Sequence, residues 1–156
     1  MKIPVSLLKN PVHLLSVGFG SGLAPKAPGT FGTIAALPFW YVLQFLPPAY
    51  YVVVLILAFI LGVYLCGATA DALGVHDHGG IVWDEFVGLW IALFMVPMHF
   101  GWILLGFALF RLFDIWKPWP IRVLDAKVHG GFGIMIDDVL AGVYAYLTLQ
   151  LLYVLS

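Results

Sequence analysis

The stretch GGFGIMIDDVLAG, residues 130–142, leads from a glycine-rich segment into the last apolar run of the chain. It carries two adjacent acids, Asp137 and Asp138, although the 156 residues contain only eight acids in all. We expect this pair to lie at the N-terminus of a final apolar helix over residues 139–155. The remaining polar motifs of the chain are expected to gather around it.

The composition of the chain is typical of an integral membrane protein. Hydrophobic residues make up 63% and charged residues 10%, with a mean hydropathy of +1.04, far from the balance of soluble domains. We expect one all-α domain, residues 1–156, built as a polytopic membrane helical bundle of about four to five helices. A net charge of −1 offers no basic face for nucleic acid. The single Cys66 excludes an internal disulfide.

Five apolar runs predict the helices of this bundle. The first two form a hairpin that turns at Pro47, the next two form a shorter hairpin, and the last closes the chain: residues 31–46, 49–70, 86–97, 102–110 and 139–155. Before them, Asn10 followed by Pro11 predicts a short interfacial helix over residues 12–17.

Charge predicts the orientation of the bundle. Polar residues concentrate in three blocks, residues 18–33, 71–85 and 111–138. All seven Lys and Arg lie in the N-terminal part of the chain, up to Lys26, or in the third block, and the two hairpin tips have none. By the positive-inside rule, the N-terminus and all three blocks face the cytoplasm, with the hairpins dipping into or across the membrane.

Two acidic pairs suggest a metal site. If the first helix of the second hairpin extends back to Ile81, Asp84 and Glu85 lie in its first turn. They are then at the same face of the membrane as Asp137 and Asp138. Carboxylate oxygens with few histidines suit Mg²⁺, which keeps water ligands and bridges to a substrate phosphate. A metal-activated water attacking phosphorus is the chemistry this favours. The alternative is that these acids only cap helices and complement their dipoles.

Cationic and hydroxyl groups in the other blocks could contact a phosphate. In GFGSGLAPKAPGTFGT, residues 18–33, which we expect to be a loop, Lys26 and Thr30 could bind an anion. The alternative is a turn in which Thr30 caps the next helix. Arg111, Asp114 and Lys117, spaced i, i+3, i+6, could hold a phosphate on one side of a helix, or could form only a structural salt-bridge ladder.

Spacing excludes several related chemistries. Ala72 stands where a Cys-x5-Arg nucleophile motif starting at Cys66 needs arginine, and the chain contains neither a DxDx motif nor an Asp-Gly dipeptide. The functional alternative from another class is a small ion or proton transporter that uses the membrane carboxylates. It predicts ionisable residues part-way through the helices and charge on both faces, which the sequence pattern does not suggest.

Four motifs together resemble a known family. GFGSGLAPKAPGTFGT, HDHGGIVWDEFVGLW, FRLFDIWKPWPIRVLDAKVHGG and GIMIDDVLAG are similar to motifs of phosphatidylglycerophosphatase A, a bacterial inner-membrane enzyme, over residues 10–142. The resemblance implies a Mg²⁺-dependent phosphatase that removes the terminal phosphate of phosphatidylglycerophosphate and leaves phosphatidylglycerol. The family's acidic and basic motifs fall on Asp77, Asp84, Glu85, Asp137, Asp138, Arg111, Asp114 and Lys117.

Spacing and resemblance together give a hypothesis for the roles of these residues. Asp84, Asp137 and Asp138 are expected to bind Mg²⁺, with Asp84 and Asp138 essential for turnover. Glu85 or Asp77 is expected to take a proton from the attacking water. We expect the substrate phosphate to be held by the cations Lys26, Arg111 and Lys117. The number of metal ions and the oligomeric state are not fixed by the sequence.

Overall fold

The structure, a computed structural model, describes residues 2–76 and 78–156, which form helices and connecting segments with no strand. Two 3₁₀ segments, Val5–Lys9 and Ser21–Leu23, accompany the α-helices. The seven α-helices of this part of the chain are α1 (Pro11–Ser16), α2 (Pro28–Leu43), α3 (Pro48–Leu73), α4 (Trp83–Ala92), α5 (Phe100–Trp116), α6 (Ile121–Lys127) and α7 (Gly130–Leu155). The all-α prediction is confirmed.

Prolines set the start of the first three α-helices. Pro11, Pro28 and Pro48 occupy the first helical position, where the missing N–H would have no intrahelical partner in any case. The prediction for α1 is confirmed, since the Asn10 side chain accepts a hydrogen bond of 2.9 Å from the Val12 N–H. The prediction of a loop over residues 18–33 is wrong from Pro28 onward, and Thr30 lies inside α2 rather than at its cap.

Helix α7 begins at Gly130, nine residues before the predicted start. Asp137 and Asp138 therefore lie about two turns inside the helix, and the expectation that they occupy its N-terminus is wrong. Helix α7 packs closely on α3 near its N-terminus. A Cβ placed on Gly131 would lie only 1.8 Å from the Val63 carbonyl oxygen. Tertiary packing thus holds these glycines in a helix despite their low helix propensity.

Helix α4 is the centre of the bundle. Every residue from Ile81 to Trp90 is buried, and the helix packs against α2, α3, α5 and α7. It ends at Ala92, earlier than the predicted residue 97, and the carbonyl of the next residue, Leu93, accepts a hydrogen bond from Trp40 of α2. At about 15 Å it is too short to cross a hydrocarbon core of about 30 Å.

The turns of the two predicted hairpins lie together at one end of the molecule. The Trp40 indole N–H donates to the Leu93 carbonyl at 3.1 Å, and the Tyr51 hydroxyl donates to the Trp90 carbonyl. Both contacts join the α2–α3 turn to the end of α4. The N-terminus of α4, with its acids, is therefore directed away from these tips.

Two helices, α3 and α7, are long and apolar enough to cross a membrane; each has 26 residues. The five apolar helices of the sequence prediction correspond to α2, α3, α4, α5 and α7. Helix α6, within the third polar block, was not predicted, and the α-helices of the described chain outnumber the four to five expected.

Candidate active site

Three carboxylates meet where α4 begins. Asp84 and Glu85 are in the first turn of α4, and Asp138 faces them from α7. Each residue offers one carboxylate oxygen, and these three oxygens all lie within 4.8 Å of one another. All three side chains are buried. Three acids this close and dry repel one another unless a cation or protons neutralise them.

A pair of glycines makes this approach possible. Gly88 is one helical turn beyond Asp84, and Gly142 is one turn beyond Asp138. A Cβ placed on Gly142 would lie 2.5 Å from the Gly88 carbonyl oxygen, and one on Gly88 would lie 2.9 Å from the Asp138 carbonyl oxygen. Because neither residue has a side chain, the two backbones touch, and the acids one turn away come into reach.

The chemistry of this cluster fits a hard divalent cation. Oε2 of Glu85 and Oδ2 of Asp138 are buried, and neither atom has a hydrogen-bond partner within residues 2–76 and 78–156. A buried carboxylate oxygen without a partner costs free energy that a bound cation would recover. Carboxylate oxygens are the ligands that Mg²⁺ prefers in proteins.

The environment of Glu85 supports the same conclusion. Burial raises the pKa of the Glu85 carboxyl well above its usual range, and the nearby charge of Asp138 raises it further. A hydrogen bond with Asp84 and the charge of Arg111 act in the opposite direction but are weaker. A cation bound at this cluster would reverse the effect of the neighbouring acids.

Two cationic side chains at the end of α5 border the acidic cluster. Nη1 of Arg111 lies 3.8 Å from Oε1 of Glu85 and is bonded to the buried Asp114. One turn on, Nζ of Lys117 lies 4.0 Å from Oδ1 of Asp114. The predicted i, i+3, i+6 face therefore exists, and Asp114 lies between its two cations.

Lys117 also bonds Asp137 on α7. Its Nζ donates to Oδ2 of Asp137 across 2.9 Å, and the other carboxylate oxygen of Asp137 accepts from the Asp138 N–H at 3.1 Å. Burial alone would lower the pKa of Lys117, but the hydrogen bond and charge of Asp137 outweigh it and raise that pKa. Of the three predicted metal ligands, the structure brings Asp84 and Asp138 together with Glu85, while Asp137 faces Lys117.

Comparison with known proteins identifies the family. The family model described as phosphatidylglycerophosphatase A matches residues 14–153. Phosphatidylglycerophosphatase A of Escherichia coli strain K12 is 58% identical over 137 residues, which are 87% of this chain and 80% of that protein. The chain belongs to the phosphatidylglycerophosphatase A family. The resemblance of its motifs is thereby confirmed.

Two further relatives of this chain carry different names. Phosphatidylglycerophosphatase A of Haemophilus influenzae is 55% identical over 143 residues, 90% of this chain and 87% of that protein. A proposed phosphatidylinositol-3-phosphatase of Bacteroides thetaiotaomicron is 40% identical over 142 residues, 86% of this chain and 88% of that protein. No solved structure matches the chain significantly.

The glycine-rich segment of this chain borders the site through Gly29, in the first turn of α2. A Cβ placed there would lie 3.0 Å from Oε1 of Glu85 and 3.2 Å from Nη1 of Arg111. Thr30 follows directly and is half-buried, whereas Lys26 is exposed just before the helix. Asp77, the second predicted proton acceptor, lies outside the described residues.

Sequence reasoning missed the two glycines that bring the acids together, Gly88 and Gly142. A signal for both was present. Both acidic motifs, DEFVG at residues 84–88 and DVLAG at residues 138–142, place a glycine four positions after an aspartate. That spacing puts acid and glycine on one helix face, which is where two helices must approach each other if their acids are to meet.

Proposed function

We propose that this chain is a Mg²⁺-dependent phosphatase that hydrolyses phosphatidylglycerophosphate to phosphatidylglycerol and inorganic phosphate at the cytoplasmic face of the bacterial inner membrane. Membership of the phosphatidylglycerophosphatase A family makes it a hydrolase that acts on a phospholipid phosphate. The single observation that carries the metal-dependent mechanism is the buried cluster of Asp84, Glu85 and Asp138.

Asp84 and Asp138 would hold the ion. Mg²⁺ in phosphate-transferring sites commonly takes only one or two protein carboxylates and fills its remaining positions with water and substrate oxygens. The ion, when bound, supplies positive charge beside the phosphate and acidifies a water molecule. Asp137, which the sequence had suggested as a third ligand, is bonded to Lys117, so we assign it to positioning that cation instead.

Arg111 and Lys117 would bind the phosphate. Arg111 offers a planar guanidinium that matches the geometry of phosphate oxygens. Its Nε is buried and has no hydrogen-bond partner among the residues that the structure describes, so it can donate to a substrate oxygen. Thr30 and Lys26, on the glycine-rich segment beside Gly29, would complete the phosphate side of the site.

We assign the proton of the attacking water to Glu85. Its carboxylate lies beside those of Asp84 and Asp138, and a cation held by those two acids would favour the ionised form of Glu85, which can accept the proton. The water oxygen then forms a bond to phosphorus, the bond from phosphorus to the glycerol oxygen breaks with its electron pair going to that oxygen, and the oxygen takes up the proton that Glu85 accepted from the water. Asp77 stays a predicted alternative acceptor.

The position of the site supports a lipid substrate at an interface. Helices α3 and α7 are long enough to cross the bilayer. The acids lie near the start of α4 and the end of α5, at the end of the bundle away from the hairpin tips. A phospholipid whose acyl chains lie along the apolar helices would present its phosphate at this level.

Substrate choice tests the proposal. Detergent-purified protein in Mg²⁺ is given phosphatidylglycerophosphate, phosphatidic acid and phosphatidylinositol 3-phosphate, and phosphate release is measured. We expect phosphatidylglycerophosphate to have a kcat/KM at least about tenfold above those of the other two lipids. A preference for phosphatidylinositol 3-phosphate, the substrate named for the Bacteroides relative, would contradict the assignment of the headgroup.

A further inference from the structure

Two histidines outside the acidic cluster lie against each other. His76 follows α3, and His129 directly precedes α7, 53 residues further along the chain. Nε2 of His76 lies 3.4 Å from Nδ1 of His129, and the two rings meet edge to face, with centroids 4.9 Å apart and planes at 76°. Both side chains are exposed, so a solute can reach them from the aqueous side.

The separation of these nitrogens matches that of two ligands on one metal ion. With metal–nitrogen distances of 2.0–2.1 Å, two imidazole nitrogens on a tetrahedral Zn²⁺ lie about 3.3 Å apart. At 3.4 Å the two nitrogens are also within hydrogen-bonding reach of each other, at the long end of the range for an N–H donor. The same separation is the one that two ligands of a shared cation need.

Space and charge beside the pair are also suitable. A cavity of about 480 Å³ is lined by His76, Asp71, Gly130 and Gly131 among other residues, and His129 directly precedes this lining without being part of it. The cavity is large enough for a hydrated ion and its water ligands. The carboxylate of Asp71, exposed in the last turn of α3, adds negative charge at its edge.

We propose that His76 and His129 form a second metal site, distinct from the acidic cluster, that binds Zn²⁺ or another divalent cation with a preference for imidazole. The two sites differ in donor chemistry, because carboxylates favour Mg²⁺ whereas imidazoles favour zinc and later transition metals. A cation bound here ties the end of α3 to the start of α7. Gly131, two residues after His129, is already packed against α3, so the ion would fix the helix that carries Asp138.

The test is a Zn²⁺ titration of the full-length protein in detergent with Mg²⁺ in large excess, followed by competition with a chromophoric zinc indicator. We expect one Zn²⁺ per chain and an increase in Tm when it binds. His76→Ala and His129→Ala should each weaken binding by about tenfold or more and abolish the increase in Tm. His78→Ala is the matched control and should retain both, since His78 accepts a hydrogen bond from the Gly80 N–H instead.

A second pair of variants separates this site from the acidic cluster. Zn²⁺ binding should persist in Asp84→Asn and Asp138→Asn. If these two variants lose Zn²⁺ while His76→Ala and His129→Ala keep it, the ion occupies the acidic cluster and the proposal is wrong. Absence of saturable Zn²⁺ binding to the folded unsubstituted protein would also overturn it, and neither outcome depends on phosphatase activity.

Discussion

Nζ of Lys117 donates a hydrogen bond of 2.9 Å to Oδ2 of Asp137 and so connects the end of α5 to α7. The next residue, Asp138, faces Asp84 and Glu85 instead. Successive residues of a helix point about 100° apart, so two adjacent acids serve different neighbours. In our account Asp137 is a positioning residue for a phosphate-binding lysine, and Asp138 is a metal ligand.

Replacement of the two aspartates should therefore have different effects. Asp138→Asn removes a metal ligand, so kcat should fall. Metal affinity should fall by about tenfold to a hundredfold, which raises the Mg²⁺ concentration needed for half-maximal activity. Asp137→Asn should leave the Mg²⁺ requirement within about twofold and raise KM for the lipid, because Lys117 loses its anchor. Steady-state kinetics at several Mg²⁺ concentrations measure both effects.

A double-mutant cycle distinguishes positioning from direct catalysis by Asp137. If Asp137 acts through Lys117, Asp137→Asn combined with Lys117→Met should be little worse than Lys117→Met alone. Additive losses, or a Mg²⁺ requirement that changes in Asp137→Asn as it does in Asp138→Asn, would instead favour Asp137 as a metal ligand.

The contact of α4 with α7 should be intolerant of added volume. Gly142→Ala places a methyl group against the Gly88 carbonyl, so we expect a loss of about 1–3 kcal/mol in stability. Activity should fall as well, because the Asp84 and Asp138 backbones move apart. Gly67→Ala is the matched control, since a Cβ there would make only ordinary contacts with Gly131 at 3.4–3.5 Å. Thermal unfolding in detergent and phosphate release compare the two variants.

Arg111 has a structural and a functional role that substitution can separate. Arg111→Met leaves Glu85 without its cation and leaves Asp114 with Lys117 alone, and removing one partner of a buried ion pair costs about 3–5 kcal/mol. We expect a lower Tm and no measurable turnover. Arg111→Lys retains the charge and should recover most of the stability, yet its KM for the lipid should stay raised, because an ammonium cannot reproduce the fork of the guanidinium. Full activity in Arg111→Lys would contradict a phosphate-binding role.

The orientation of the bundle can be tested by cysteine labelling. In a Cys66→Ala background, Ala49→Cys reports on the turn between α2 and α3, at the start of a helix long enough to cross the membrane, and Lys127→Cys reports on the third polar block; both positions are exposed. A membrane-impermeant maleimide should label position 49 in spheroplasts and position 127 only after permeabilisation. The reverse pattern would place the active site on the outer face.

Much of the fold could be predicted from local rules. The composition indicated an all-α protein, and Asn10 with Pro11 marked the start of α1. Asp84 and Glu85 lie in the first turn of α4 as expected, because acids are favoured at a helix N-terminus. Arg111 and Asp114 likewise lie in the last turns of α5, where their spacing puts them on one face.

The start of α7 and the separate role of Asp137 could not be predicted in this way. Glycines are poor helix formers, so local propensity favours a loop over residues 130–133, whereas the contact with Val63 is visible only once α3 and α7 are packed. Similarly, nothing local distinguishes Asp137 from Asp138. Which acid meets α4 depends on the rotation of α7, and that rotation is fixed by the contact between Gly142 and Gly88.

The most direct test of the central claim is phosphate release from phosphatidylglycerophosphate by the purified protein in Mg²⁺, measured before and after chelation with EDTA in the same preparation. Our account predicts release in Mg²⁺, none in EDTA, and recovery when Mg²⁺ is restored, because the buried carboxylates of Asp84 and Asp138 need the cation. Undiminished release in EDTA would contradict a metal-dependent mechanism at this cluster.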